Sequence, residues 1–150
     1  MVFTFGSVLF VCAVLFMACQ KSSTTSTAAS TTTGGTTGSL VVDGTSHSAT
    51  PGSNTNGNSF VIISNTSGYP SISLTFTNTT APAAGSYTAS NNYPTSGNCG
   101  AVLTPAVSIT WTVVTCHMTV TSGSSRNVSF SGATFTDGTS THTVSANLPF

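Results

Sequence analysis

The amino-acid sequence predicts an all-β fold, an antiparallel β-sandwich of about seven to nine strands preceded by a signal peptide and a disordered linker. Three observations predict this fold. Apolar and polar residues alternate with a period of two from residue 40 onward. Turn-forming dipeptides separate the alternating stretches. Residues 40–150 show no helical apolar period, and without crossover helices we expect the strands to pair antiparallel.

The chain begins with an uncharged apolar run at residues 2–18. As a helix this run would measure roughly 25 Å, which is short for a membrane span and suits a signal peptide. Ala18 and Cys19 close the run in the stretch "FMACQKSS". "FMAC" resembles the lipobox of bacterial lipoproteins, and "QKSS" resembles the start of many lipoproteins from Bacteroidota. The resemblance implies that residues 1–18 are removed and that Cys19 receives lipid. The alternative is an uncleaved signal anchor in which Cys19 is a buried thiol.

Residues 19–39 form a linker rich in Ser, Thr and Gly. After Cys19 this segment contains no aromatic or large aliphatic residue, so it cannot bury enough surface to offset the entropy of ordering. We therefore expect a flexible tether between the lipid and a folded domain at 40–150.

Alternation is clearest in two stretches of this domain. "PSISLTFTNT" places serines and threonines opposite an apolar face of Ile72, Leu74 and Phe76. "VSITWTV" repeats the pattern with Val107, Ile109, Trp111 and Val113. The phase then slips at Val113-Val114, which predicts a β-bulge or a break into two strands. "SFVIIS" is continuously apolar and is predicted to be a central strand.

Turn chemistry separates these strands. Asp43-Gly44 lies between "SLVV" and "TSHSAT", which is a hairpin signal. Asp137-Gly138 separates "NVSFSGATF" from "HTVSANLPF" in the same way, and "TSGSSR" joins the preceding pair. The "VVDGTSHSAT", "PAAGSY" and "NVSFSGATF" elements resemble a family of small lipoprotein β-domains from Bacteroidota. That resemblance implies a fold and an envelope location, and no activity.

Charge is almost absent from the chain, which has two basic and two acidic residues and a net charge of zero. No basic field exists to attract nucleic acid, so no nucleic-acid partner is expected. Asp43 and Asp137 are the only carboxylates and both precede Gly, so we interpret them as turn formers. Glycoside hydrolysis and a calcium site would each need more carboxylates than these turns leave available.

The three histidines, His47, His117 and His142, offer a weak route to catalysis. Asp43 precedes His47 by four positions and Asp137 precedes His142 by five. However, no G-x-S-x-G elbow occurs, so a serine triad is not expected. Cys116 and His117 are adjacent and would face opposite sides of a strand, which argues against a shared zinc ion. We predict no enzyme activity, no cofactor and no metal site.

Cys99 and Cys116 are the thiols of the predicted folded domain. In an oxidising envelope an even number of cysteines favours a disulfide between them. The alternative is two independent buried thiols. The sequence predicts that Cys99 lies in a loop, "SGNCGA", and that Cys116 lies on the apolar face of its strand.

Aromatic residues are the strongest indication of a ligand. Tyr69-Pro70 and Tyr93-Pro94 are predicted to lie in loops, where binding sites concentrate. Trp111, Tyr69, Tyr87 and Tyr93 are the aromatic residues that could form a stacking platform for sugars. Their loop positions make Tyr69 and Tyr93 the candidate ligand-binding residues. Trp111 lies mid-strand on the apolar face and is predicted to be a core residue.

These observations predict a non-catalytic structural or adhesive lipoprotein in the bacterial cell envelope. We expect it to be held by its lipid at the outer membrane, facing the periplasm or the cell surface. Its partners would be the membrane and either a glycan or an envelope protein. One alternative is a carbohydrate-binding module at the cell surface. Another is a small outer-membrane β-barrel, since the chain ends in Phe150 as barrel signals do.

Overall fold

A computed structural model describes residues 37–66, 68–91 and 98–150, and it contains nine strands in this part of the chain. The all-β prediction and the predicted strand number are confirmed. The strands are β1 (Gly38–Val42), β2 (Thr45–Asn56), β3 (Ser59–Thr66), β4 (Gly68–Phe76), β5 (Gly85–Ala89), β6 (Asn98–Ala106), β7 (Ile109–Thr121), β8 (Asn127–Thr136) and β9 (Thr141–Pro149). Within the described residues, the structure contains no helix with the length and hydrophobicity that a membrane crossing requires.

The strands form one closed ring, in the order β1-β2-β3-β4-β6-β5-β7-β8-β9. The ring closes because β1 pairs with β9, with Leu40 opposite Ala146 and Val42 opposite Val144. The predicted sandwich is therefore not confirmed, since the first and last strands bond to each other and do not form edges of two separate sheets. Closure pairs the backbone N–H and C=O groups of β1 and β9, which would be exposed at an open edge.

One strand pair departs from the predicted antiparallel arrangement. β5 and β6 run parallel, with Thr88 opposite Asn98 and Ala89 opposite Cys99. β5 also pairs antiparallel with β7, and β6 pairs directly with β7 farther along. Strand β5 is thus inserted between β6 and β7 over part of their length, which makes the barrel mixed.

The core fills the interior of the barrel with apolar side chains. In β4 the inward residues Ile72, Leu74 and Phe76 are buried, whereas the outward residues between them are serine and threonine. Burying one such side chain contributes about 2 kcal/mol relative to leaving it in water. The other strands add side chains that are also fully buried, among them Leu40, Ile62, Leu103, Val128, Phe135, Val144 and Leu148.

The predicted slip in β7 is confirmed as a bulge, because the register between β7 and β8 shifts between Val113 and Thr115. The predicted start of that strand is wrong. Val107 and Ser108 form the β6–β7 turn, Ser108 has a φ of 61°, and Val107 is 70% exposed. A turn can carry an apolar residue in phase with the next strand, and alternation alone does not reveal where the strand begins.

The barrel has two ends that differ in composition. We call one the Asp43 end, which carries the turns at 43–44, 107–108 and 137–140. The other is the Phe150 end, which carries the turns at 57–58 and 122–126 and the last residue. Strand β1 runs from the Phe150 end toward the Asp43 end, since it is antiparallel to β9. The chain therefore enters the barrel from the side of the Phe150 end.

Candidate functional site: the seam cluster and an uncharged cleft

The Asp43 end gathers the two aspartates of the chain, its single tryptophan and one histidine. We call Asp43, Trp111, Asp137 and His142 the seam cluster, because it lies where β1 meets β9. The cluster joins the β1–β2 turn, the β8–β9 turn and strands β7 and β9. Barrel closure is what brings these elements together.

Asp43 bonds to two consecutive residues of β9. Its Oδ2 lies 2.8 Å from Nδ1 of His142, and its Oδ1 accepts the backbone N–H of Thr143 at 2.8 Å. The N–H of Asp43 donates to the carbonyl oxygen of Thr143 at 2.9 Å. The turn holds Asp43 for this role, since Asp43 and Gly44 have φ values of 48° and 80°. Positive φ at both central residues is what a type I′ hairpin turn requires.

Asp137 sits on the other side of the imidazole ring. Its Oδ1 accepts the backbone N–H groups of Thr139 and Ser140, each at 2.7 Å. Its Oδ2 lies 3.6 Å from Nε2 of His142, which is too long for a hydrogen bond and close enough for electrostatic attraction. Among the described residues, Nε2 of His142 is buried without a hydrogen-bond partner.

Trp111 stacks on the histidine. The two ring centroids are 3.5 Å apart and the planes differ by 8°. Trp111 is half-buried, and it also packs against the hydrophobic core. The prediction of a core residue is thus correct only for part of its surface. One ring face is occupied by His142 and is not available to a sugar.

The charges of the seam cluster shift each other's pKa. The hydrogen bond from Asp43 raises the pKa of His142 above its usual value, and Asp137 adds to this effect. The bond with His142, followed by the Thr143 N–H, lowers the pKa of Asp43. The N–H groups of Ser140 and Thr139 lower the pKa of Asp137. The arrangement therefore favours an imidazolium held between two carboxylates.

This geometry does not match a hydrolytic triad. Asp43 orients His142 through Nδ1, as a triad acid would, but Nε2 faces Asp137 instead of a hydroxyl group. Asp43 pairs with His142 and not with His47, which lies half-buried on β2. In the part of the chain that the structure describes, no three His, Cys, Asp or Glu side chains are arranged to hold a metal ion.

Of the two tyrosines predicted to bind a ligand, the structure describes Tyr69 and not Tyr93. Tyr69 lies on β4 at the Asp43 end, and its side chain is 46% exposed. The predicted loop position of Tyr69-Pro70 is wrong, because both residues belong to the strand. Tyr93 lies outside the described residues, and so do Cys19, the predicted signal peptide at 1–18 and most of the linker.

The two cysteines are free and buried, so the predicted disulfide is not formed in this structure. Cys99 lies on strand β6 and not in the predicted loop. Strand β5 lies between the two cysteines, because its Ala89 pairs with Cys99 of β6 on one side and with Cys116 of β7 on the other. Their backbones are therefore two strand spacings apart, at about 4.8 Å for each spacing. This separation exceeds the Cα–Cα distance of roughly 7 Å that a disulfide tolerates. Cys99 Sγ instead donates to Met118 Sδ at 3.4 Å. Burial raises the pKa of each thiol to about 12.

A cleft of about 500 Å³ opens at the Phe150 end, between the end of β4 and the start of β5. None of the residues that line it carries a formal charge. They are Phe76, Thr77, Asn78, Pro82, Ala84, Gly85, Ser86, Tyr87 and Asn98. Tyr87 is one of the aromatic residues expected to stack on sugars, and it lies in the "PAAGSY" element of the family resemblance.

Sequence patterns do not reveal the seam cluster, because Asp43 and His142 are far apart in the sequence. The Asp43-Gly44 turn was visible as a hairpin signal, but nothing local indicated that Asp43 would meet the start of β9. Comparison with protein-family models, curated proteins and solved structures found no match for this chain.

Proposed function

We propose that this chain is a lipid-anchored lipoprotein of the bacterial cell envelope, whose barrel has a non-catalytic structural or adhesive role. The anchor would be Cys19, which follows the apolar run at 2–18. The observation that best supports a non-catalytic role is the seam cluster. It uses both aspartates and one histidine to join strands, and Nε2 of His142 faces a carboxylate where a nucleophile would be needed.

The surface of the barrel supports a display role. The outward residues of β4 and β7 are mostly serine and threonine, and the inward residues are apolar. Membrane-embedded barrels have the reverse alternation, with an apolar outer band, and this difference favours the display role over an outer-membrane barrel. Entry of the chain from the Phe150 end would leave the Asp43 end pointing away from the membrane.

Lipid attachment is tested by labelling cells with radioactive palmitate. We expect label in the wild-type protein and in Cys12→Ser, and none in Cys19→Ser. The Cys12→Ser variant is the matched control, since Cys12 lies within the predicted signal peptide. Equal labelling of Cys19→Ser would overturn the proposed anchor. An intact mass that retains residues 1–18 would overturn it too.

The non-catalytic role has its own test. A serine-reactive fluorophosphonate should not label the purified full-length chain. Labelling that disappears in His142→Gln would instead identify a serine hydrolase and contradict the proposal.

Carbohydrate binding is a second candidate function, favoured by the cleft at the Phe150 end. Its lining combines aromatic rings with hydroxyl and amide groups and contains no charge. Such a surface suits the ring faces and hydroxyl groups of sugars.

A further inference from the structure

The cleft at the Phe150 end lies where the end of β4 and the start of β5 approach each other without pairing. Strand β6 pairs with β4 as far as Cys99 and Phe76, and it meets β5 only at Thr88 and Ala89. Among the described residues, the segment 85–87 of β5 has ladder partners on β7 alone. In the part of the chain that the structure describes, the end of β4 and the start of β5 are not ladder partners, and the cleft lies between them.

Tyr87 is held in a fixed orientation at this cleft. Its ring meets the Phe76 ring edge-on, with centroids 5.3 Å apart and planes at 88°. Its hydroxyl donates to the carbonyl oxygen of Ala83 at 2.9 Å. Phe76 is 2% exposed and belongs to the core, so it provides a rigid support. An aromatic side chain that is already ordered loses little conformational entropy when a ligand binds.

The polar groups of the cleft surround this aromatic pair. Thr77 and Ser86 provide hydroxyl groups, and Asn78 and Asn98 provide amides. Thr77, Asn78 and Ser86 are exposed and can exchange water for a ligand. A volume of about 500 Å³ is within the range of small-molecule sites.

Because none of the lining residues carries a formal charge, the cleft favours a neutral ligand over a charged one. A charged ligand would lose hydration in this cleft without gaining an opposite charge. A neutral ligand with many hydroxyl groups and an apolar ring face would gain both hydrogen bonds and contact with an aromatic ring. A neutral saccharide has these properties.

We propose that the cleft lined by Tyr87, Asn78 and Asn98 binds a neutral saccharide. This proposal rests on the adhesive role proposed above and names its ligand class. It also moves the binding site from the predicted Tyr69, at the opposite end of the barrel, to the Phe150 end.

The proposal is tested with the full-length chain purified in detergent. The probes are an array of neutral and uronic-acid-containing oligosaccharides, followed by titration with free cellobiose, maltose and diacetylchitobiose. We expect at least one neutral saccharide to bind with a Kd of about 1 mM or tighter. In two-dimensional NMR spectra it should shift the side-chain amide signals of Asn78 and Asn98.

Three variants locate the site. Tyr87→Ala and Asn78→Ala should each weaken binding by about tenfold or more, whereas Tyr69→Ala should change it by less than about twofold. Asn78 is exposed and outside the core, so Asn78→Ala remains decisive even if Tyr87→Ala does not fold. Circular dichroism checks the folding of each variant.

Several results would overturn the proposal. They are the absence of binding to any neutral saccharide, a preference for the uronic acids, and binding that depends on Tyr69 but not on Asn78. Loss of palmitate label in the wild type would contradict the proposed anchor without affecting these measurements, so the two proposals can fail independently.

Discussion

Asp43 and His142 are separated by 99 positions in the sequence, and their side chains meet at 2.8 Å. Asp43 follows the first strand and His142 lies near the start of the last one. Their contact, together with the two bonds between Asp43 and Thr143, extends the β1–β9 pairing that closes the barrel. An aspartate that looks like a local turn former therefore also joins the first strand of the domain to the last.

Asp43→Asn should weaken this junction. Asparagine tolerates positive φ, so the turn at Asp43 keeps its backbone conformation while the substitution removes the negative charge and one of the two acceptor oxygens. The single amide oxygen can replace the bond to His142 or the bond to Thr143 but not both, at a side chain that is 49% exposed. We expect the free energy of unfolding to fall by about 1 kcal/mol, measured by urea denaturation near neutral pH.

A double-mutant cycle separates this contact from other effects of the substitution. Asp43→Asn combined with His142→Gln should cost less than the sum of the two single variants. Full additivity would show that the contact seen between Asp43 and His142 does not contribute to stability.

The stability of the barrel should depend on pH through the seam cluster. The pKa of His142 is raised in the folded protein, so His142 stabilises the fold fully below its unfolded-state pKa of about 6.5. This stabilisation is lost as the pH rises through the folded-state pKa. The pKa values of Asp43 and Asp137 are lowered in the folded protein, so both carboxylates stabilise the fold fully above an unfolded-state pKa of about 3.9. This stabilisation is lost as the pH falls through the folded-state pKa values. Stability should therefore be highest between about pH 4 and pH 6.5.

Urea denaturation at several pH values measures this profile, and Trp111 emission reports the protonation of the ring stacked on it. His142→Gln should remove the loss of stability at high pH. His117→Gln is the matched control, because His117 lies exposed on β7 and outside the seam cluster, and it should keep the profile. A wild-type profile that is flat across this range would contradict the prediction.

Gly38→Ala should disturb the opposite end of the β1–β9 ladder by steric means. A Cβ atom at Gly38 would lie 2.5 Å from the carbonyl oxygen of Asn147 and 3.0 Å from Cδ of Pro149. Backbone of β9 cannot move away without opening the β1–β9 ladder, so we expect a loss of about 1–3 kcal/mol in the free energy of unfolding. Gly52→Ala on β2 is the control, since no atom lies within 4 Å of its added Cβ, and it should be nearly neutral.

Cys99 and Cys116 should resist alkylation in the native protein at mildly alkaline pH. Both are buried, and pKa values of about 12 leave little thiolate to react. After denaturation without reductant, both should react with iodoacetamide, as peptide mass spectrometry would report. Labelling that requires a reductant would instead indicate the disulfide predicted from the sequence.

Local patterns in the sequence determined much of the secondary structure. The alternation of Ile72, Leu74 and Phe76 against serine and threonine fixed which face of β4 is buried, because a strand has a period of two. The slip at Val113-Val114 located the bulge in β7, and Asp43-Gly44 located a hairpin turn. Each of these features depends on neighbouring residues, and such features are readable without a structure.

Only the tertiary structure decided how the strands close and what that closure brings together. Pairing of β1 with β9 depends on barrel curvature summed over nine strands, and this pairing placed Asp43 beside His142. Insertion of β5 between β6 and β7 separated Cys99 from Cys116, and the strand order placed the end of β4 and the start of β5 on either side of the cleft beside Tyr87. Strand order is set by the packing of residues distant in sequence, so alternation predicts the strands but not their neighbours.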